Sequence, residues 1–251
     1  EERVNERSQE DVKQYGVSTN VSVGKLLPKN WGIKIPFSYS VSEEFKDPKF
    51  DPKFQDVKFE DAKDNSNSAQ DYTKRSSISF INVRKDRVGS IKKAPMPYDV
   101  ENFSVSYSYN EQNHKDYNVQ KHLVQDVKSS ANYAYNIPEM PIEPFKNSKS
   151  LNNKYFKIIK DFNFNLLPTT IGVNSNIIRS YNEQASRNLV TGGALPTLQQ
   201  RNFLFDWDYN IGYNLSKSIK FNFRAANKHI YDSFEYDDSA SDDIQLFYDY
   251  F

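Results

Sequence analysis

From Phe203 to Leu215 every second residue is large and apolar: Phe203, Phe205, Trp207, Tyr209, Ile211, Tyr213 and Leu215. Between them stand Asp206, Asp208, Asn210, Gly212 and Asn214. A period of two sends these sets to opposite faces of an extended strand, one greasy and one wet, whereas a helix would scatter the rings around its axis. The same order recurs along the chain. Val17, Thr19, Val21 and Val23 alternate with Ser18, Asn20 and Ser22, and Ile33, Ile35, Phe37, Tyr39 and Val41 with Lys34, Ser38 and Ser40. Phe103, Val105, Tyr107 and Tyr109 alternate with Ser104, Ser106, Ser108 and Asn110; Ile219, Phe221, Phe223 and Ala225 with Lys220, Asn222 and Arg224. Ala131, Tyr133, Tyr135 and Ile137 share a face, and shorter runs lie at Phe162, Phe164, Leu166 and at Ile171, Val173, Ile177. Residues 77–85 also read as a strand, although Ile78 and Phe80 oppose Ile81 and Val83. The expectation is an all-β antiparallel chain of nine or ten strands.

Three related short turns separate these runs: Leu27-Pro28-Lys29-Asn30-Trp31, Leu167-Pro168-Thr169-Thr170-Ile171 and Leu215-Ser216-Lys217-Ser218-Ile219. Alternation with a minimal reversal predicts antiparallel hairpins, each turn joining two strands of about ten residues. Such strands, apolar on one face and polar on the other, meet the requirements of a transmembrane β-barrel wall. Longer loops are expected at about 42–76, 138–154 and 182–201. Short turns on one rim and long loops on the other would make the long loops extracellular. The first long loop holds Asp47-Pro48-Lys49-Phe50, repeated as Asp51-Pro52-Lys53-Phe54 and echoed in Asp56-Val57-Lys58-Phe59, with prolines that discourage helix and ladder alike. Pro36 predicts a local bulge. Residues 1–15 read as a charged lead-in with a short helix, and 16–251 as the barrel segment.

Composition narrows the partners. Only 37% of residues are hydrophobic and the mean hydropathy is -0.81, yet aromatics reach 15%, which sets the chain apart from disordered sequences poor in rings. Charges balance at 33 basic and 33 acidic residues without a basic block, so no nucleic-acid partner is expected. The absence of Cys excludes disulfides and thiolate metal sites. No run of eighteen apolar residues forms a spanning helix, and the charged start lacks the apolar core of a signal peptide. Either a signal was removed or the chain begins inside something larger.

No catalytic constellation assembles. His114, His122 and His229 are scattered, and Gly192-Gly193 lacks the residues of a phosphate loop. Asp232, Asp237, Asp238, Asp242 and Asp243 are hard oxygen donors without the spacing of a calcium loop. Asp206 and Asp208 project to one face about 7 Å apart, close to the separation of paired catalytic carboxylates. Their apolar opposite face makes a polar wall the simpler account, with Lys220 and Arg224 placed to pair with them. The chain is therefore expected to be no enzyme and to need no cofactor or metal. The expected lipid-facing residues are Val21, Ile33, Phe37, Val105, Tyr107, Trp207, Tyr209, Ile211, Phe221 and Phe223. The expected lumen-facing ones are Ser38, Ser106, Asp206, Asp208, Asn210, Asn222 and Arg224.

Four ordered stretches resemble the SprA (Sov) family: 24–36, 79–85, 160–168 and 215–221. They read Gly24-Lys25-Leu26-Leu27-Pro28-Lys29-Asn30-Trp31-Gly32-Ile33-Lys34-Ile35-Pro36, Ser79-Phe80-Ile81-Asn82-Val83-Arg84-Lys85, Lys160-Asp161-Phe162-Asn163-Phe164-Asn165-Leu166-Leu167-Pro168 and Leu215-Ser216-Lys217-Ser218-Ile219-Lys220-Phe221. That family comprises the giant outer-membrane translocons of the type IX secretion system in Bacteroidota, tied to gliding motility. The resemblance implies a segment of a very large single-chain barrel in the cell outer membrane, continued by the other strands of a parent chain. It also implies secreted cargo proteins, a PorV-like barrel protein and a periplasmic plug as partners. Two alternatives stand beside it: a complete small outer-membrane barrel, and a soluble β-sandwich binding or adhesion module whose interior would take the rings.

Overall fold

The computed structural model describes residues 10–51, 70–88, 96–148, 155, 157–188 and 195–237. The alternating runs become nine strands: β1 (Glu10–Ser22), β2 (Ile33–Lys34), β3 (Pro36–Pro48), β4 (Asp71–Lys85), β5 (Phe103–Lys115), β6 (Val119–Asn136), β7 (Thr170–Ser186), β8 (Thr197–Asn214) and β9 (Lys220–Asp237). They form one antiparallel sheet in the order β1-β3-β4-β5-β6-β7-β8-β9, with β2 paired to β4. Among the described residues β1 and β9 are the two edges and do not pair with each other. No described helix is long and apolar enough to cross a membrane.

The strands run well past the alternating apolar stretches. Residues 10–15, expected in a helical lead-in, open β1, because they face the end of β3: Asp11 pairs with Lys49 at 3.0 Å, Lys13 with Asp47 at 3.6 Å, and Tyr15 donates to Glu43. The loop expected at 42–76 is correspondingly shorter. Ser42 to Pro48 ladder with β1, and Asp71 to Arg75 with β3. In that half the face alternation is written in charges, which a search for apolar periodicity passes over. Residues 182–186 and 197–201 likewise belong to β7 and β8 rather than to a loop. The second and third copies of the Pro-Lys-Phe motif, the end of the acidic loop and Ile244 to Phe251 lie outside the described residues.

Phe162, Phe164 and Leu166 do not make a strand. Phe164 forms one isolated bridge with Ile142, after a single helical turn α1 (Lys157–Lys160). Asn163 and Asn165 instead bond the chain at 214–217, as described below. The turn at 167–171 therefore leads from irregular chain into β7.

The uncertain facing of residues 77–85 comes from a bulge. Phe80 pairs with Tyr107 and Val83 with Val105, so Ile81 and Asn82 together stand against the single Ser106, one residue in excess. Asn82 takes the left-handed conformation (φ 59°) that asparagine tolerates, and its amide donates to Ser106 Oγ at 2.9 Å. Ile78, Phe80 and Val83 thereby share one face despite their mixed parity. The interruption at Pro36 matches this bulge: β2 and β3 pair with β4 in registers one residue apart.

The connections do not sort by length. On the rim where β1, β4, β6 and β8 end, here the first rim, lie 23–35, 86–102, 137–169 and 215–219; the second rim carries 49–70, 116–118 and 187–196. All three repeated turns lie on the first rim, but so does the loop 138–154, and the second rim holds the tight turn at 116–118. Asp116 makes that turn compact by accepting from the amides of Asn118 (2.7 Å) and Val119 (2.6 Å). The expectation of long loops on one rim only is corrected accordingly.

Candidate functional site

The sheet's two faces are the candidate site, and register decides which residues share them. One cross-strand row reads Val21, Phe37, Phe80, Tyr107, Ser129, Ile177, Phe205 and His229. Two residues toward the first rim the same face carries Val105, Ala131, Ser175, Trp207 and Asn227, and then Phe103, Tyr133, Val173, Tyr209 and Ala225. Ile171, Ile211 and Phe223 follow, with Phe221 opposite Tyr213. Ile33, opposite Lys85, joins this face beyond the bulge. All ten residues expected on the apolar face thus fall on one side of the sheet. Ring pairs knit it: Phe37–Phe80 at 5.0 Å, Phe103–Tyr133 at 4.9 Å, Phe205–Trp207 at 4.8 Å and Tyr209–Phe223 at 6.2 Å between centroids.

The opposite face is built of small polar residues. Asn20, Ser38, Ser79 and Ser108 make one row; Ser106, Ser130, Asn176, Asp206 and Lys228 the next; Ser104, Asn132, Asn174 and Asp208 another. Asn210 stands opposite Arg224 and Gly212 opposite Asn222. All seven residues expected on the polar face therefore share it. Asp206 and Asp208 each accept from the neighbouring strand: Asn176 Nδ2 donates to Asp206 at 2.9 Å and Asn174 Nδ2 to Asp208 at 3.1 Å. Arg224 reaches Asp208 at 3.8 Å, while Lys220 stands opposite Asn214 and Lys228, not Lys220, faces Asp206. Ile178, Leu204 and Ile230 form one apolar row within this polar face, which the strand pattern alone did not single out.

Burial is inverted relative to a water-soluble core. Phe103, Val105, Tyr107, Val173, Phe221 and Phe223 are exposed, whereas the buried described residues are Tyr135, Gly172 and the polar Thr73, Asn163, Asn165, Glu183 and Gln199. Among the described residues no second sheet covers either face.

The first rim is fastened by side chains to backbone. Asn165 Nδ2 donates to Asn214 O at 2.6 Å, the Lys217 amide to Asn163 Oδ1 at 2.8 Å, and Tyr213 OH to Asn165 O at 2.6 Å. Glu143 joins Lys146 (2.5 Å) and Lys217 (2.7 Å); Lys146 first and Lys217 second hold its carboxyl at about 2, and Glu143 in turn raises Lys217. At the other end of this rim Asp86 binds Lys34 and Arg84, which hold it below the usual carboxylate range. Gly32 supplies the left-handed turn there (φ 67°), where a Cβ would strike the Asp86 carbonyl. The histidines gain partners that sequence alone did not give. His114 lies directly opposite His122 and bonds Thr73 at 2.8 Å, and His229 stacks on Trp207. No group of three or more potential metal-ligating residues gathers among the described residues.

An antiparallel sheet, open among the described residues, with rings on one face and serines and asparagines on the reverse defines the class: a two-faced β wall. Residues 1–62 match the SprA_N family model, described as a motility related/secretion protein, and this match supports a relation to the SprA family over 62 of the 251 residues. Within the structure the matched stretch holds β1, β2 and β3. No curated protein matches the chain. A motility/secretion family and an all-β fold are together compatible with an outer-membrane protein.

Proposed function

We propose that this chain is a wall segment of a protein-conducting translocon in the outer membrane, serving type IX secretion and gliding motility. The observation that carries the reading is the inverted burial: exposed rings on one face and small polar groups on the other suit lipid outside and a wet pore within. Dimensions support it. From Phe203 to Tyr213 a strand rises ~33 Å, or ~23 Å along the membrane normal when tilted by about 45°, near the ~25 Å apolar band of outer-membrane barrels. The edges that β1 and β9 leave unpaired among the described residues are met by further strands of a longer parent chain, since neither lipid nor water satisfies a bare strand edge well. Exported proteins pass the Ser/Asn face, and a PorV-like barrel protein and a periplasmic plug regulate the passage. The segment itself takes no part in covalent chemistry.

The test is made in the secreting cell. A parent chain lacking residues 197–237 should retain cargo in the periplasm. Asp206→Asn combined with Asp208→Asn should leave export within about twofold of normal, because each acid already accepts from an asparagine and a wide wet wall depends little on two charges. Loss of export in the double variant at normal barrel abundance would replace the passive wall with a specific cargo or ion contact. Normal export by the deletion variant would refute the wall itself.

A further inference from the structure

Two polar side chains stand inside the apolar band on the edge strand β9. Across β6 to β9 the ring-rich face reads Ala131, Ser175, Trp207 and Asn227 in one row, and Ser129, Ile177, Phe205 and His229 in the next. Toward the first rim follow Tyr209 with Ala225 and Ile211 with Phe223; toward the second rim lies Phe203 with Tyr231. Asn227 and His229 are exposed, with rings and small apolar groups beyond them in both directions along the strand.

The neighbours on β8 leave both groups unsatisfied. Asn227 stands opposite Trp207 and His229 opposite Phe205. His229 stacks on Trp207 at 5.3 Å and 24°, a contact that uses the face of the imidazole and leaves its nitrogens at the edge. Among the described residues no hydrogen bond joins Asn227 or His229 to Trp207, Tyr209, Tyr231 or any other group. The nearest charges are turned or held away: Lys228 belongs to the opposite face, and Arg179 stands on β7 with β8 between. Ser129 and Ser175, the other polar members of these rows, lie on strands paired on both sides. An amide or imidazole left without a partner in hydrocarbon is costly, and such groups at membrane depth bond to neighbouring protein. With β8 on one side, the side that remains is the other edge of β9, whose ladder is unpaired among the described residues.

We propose that the strand of the parent chain lying on the open edge of β9 carries amide or hydroxyl side chains directly opposite Asn227 and His229. A short polar ladder would then cross the outer face within the apolar band. This rests on the reading that the ring-rich face meets lipid and that further strands continue the edges; it adds the chemistry and register of the neighbour. Amides and hydroxyls fit because each donates and accepts, as a carboxamide and an imidazole do. The two positions lie two residues apart on the neighbouring strand, because one face repeats every second residue. The ladder fixes register: a slip by one residue would turn the neighbour's polar pair to the wet face and leave Asn227 and His229 against hydrocarbon.

The test uses the full parent chain in bilayers, with a benzophenone replacing the ring of Phe223, on the same strand and face. Mapping of the photo-cross-link should find a segment of the parent chain whose register sets amide or hydroxyl side chains opposite Asn227 and His229. A second measurement follows amide exchange. Asn227→Leu with His229→Phe strands the neighbour's polar groups, so exchange over residues 220–231 should quicken about threefold or more. Val105→Asn, flanked by Val83 and Ala131, should quicken exchange in β5 because nothing polar stands opposite it. Apolar residues opposite both positions, a cross-link to a separate protein, or exchange that slows or holds in the Leu/Phe variant would overturn the ladder. The lipid-facing reading would survive any of these results if Val105→Asn still quickened exchange. No change in exchange from either alteration would overturn both.

Discussion

The two halves of β8 obey the same alternation and live by different chemistry. From Phe203 to Tyr213 the ring-rich face meets its neighbours through rings and branched side chains, against Ile171, Val173 and Ile177 on one side and Phe221 and Phe223 on the other. From Thr197 to Arg201 the same face carries Gln199 and Arg201, beside Tyr181 and Glu183 of β7. In this second half the buried residues are Thr73, Glu183 and Gln199, held by hydrogen bonds and ion pairs. The backbone ladder is continuous across the border, so strand formation does not depend on which chemistry the side chains use. What changes at the border is the solvent each half is suited to. A strand longer than the band needs an aqueous half, and the 18 residues of β8 allow for both.

The sharpest way to break this comparison is to place one charge in each half. Tyr209 stands near the middle of the apolar half, and an arginine at such a depth costs about 2–4 kcal/mol. Tyr209→Arg should therefore reduce folded outer-membrane yield of the parent chain severely. Asn113→Arg, on the same face in the charged half, should change it little, as should Asn210→Arg on the reverse face. Similar yields for all three variants would erase the border.

A smaller effect is expected inside the charged half. Glu183→Gln removes the charge that Lys121 binds with both oxygens and weakens the Tyr181 contact. The loss should be about 1–2 kcal/mol of local stability, read as faster amide exchange in β6 and β7. Exchange unchanged there would mean that the ion pair is ornamental.

The smallest expected effect is at the first rim. The Glu143 carboxyl titrates near 2 in the folded chain against an ordinary value of 4.5. A depressed carboxylate stabilises above its unfolded value and loses that contribution as pH falls through the folded one. Lys217, raised by Glu143, contributes below its ordinary 10.5 and loses that contribution as pH rises through its folded value. The link between 137–169 and 215–219 should thus hold from about pH 5 to 10 and loosen slightly toward pH 2. These groups are open to solvent, so the change should be modest. A fluorescence reporter at Met140→Cys would follow it, and a midpoint between pH 5 and 8 would assign the link to other groups.

The apolar half was legible in sequence because its faces differ in hydropathy. Every residue expected on the ring-rich or polar face lies with its group, from Val21 and Phe37 to Asn222 and Arg224. The charged half was not, because Glu43, Lys74, Asn113 and Glu183 alternate with residues equally polar, and hydropathy has no contrast to report. Asn82 hid its bulge for another reason: one left-handed residue reverses the parity of all that follows, and an asparagine alone does not announce it. Phe162, Phe164 and Leu166 gave a false strand. Three alternating residues before a proline carry too little information, and Asn163 and Asn165 were free to bond a neighbouring turn instead.

The central claim is that the two faces of the apolar half meet different solvents. Because this chain has no Cys, single introduced cysteines along β5 can carry a nitroxide without background from it. In the parent chain, cleared of any other cysteine and embedded in a bilayer, labels at Phe103, Val105 and Tyr107 should be relaxed mainly by oxygen. Labels at Ser104, Ser106 and Ser108 should be relaxed mainly by a water-soluble nickel complex, giving a two-residue oscillation that fades from Glu111 onward. Equal access of the nickel complex to both sets, with no oscillation between Phe103 and Ser108, would contradict the account.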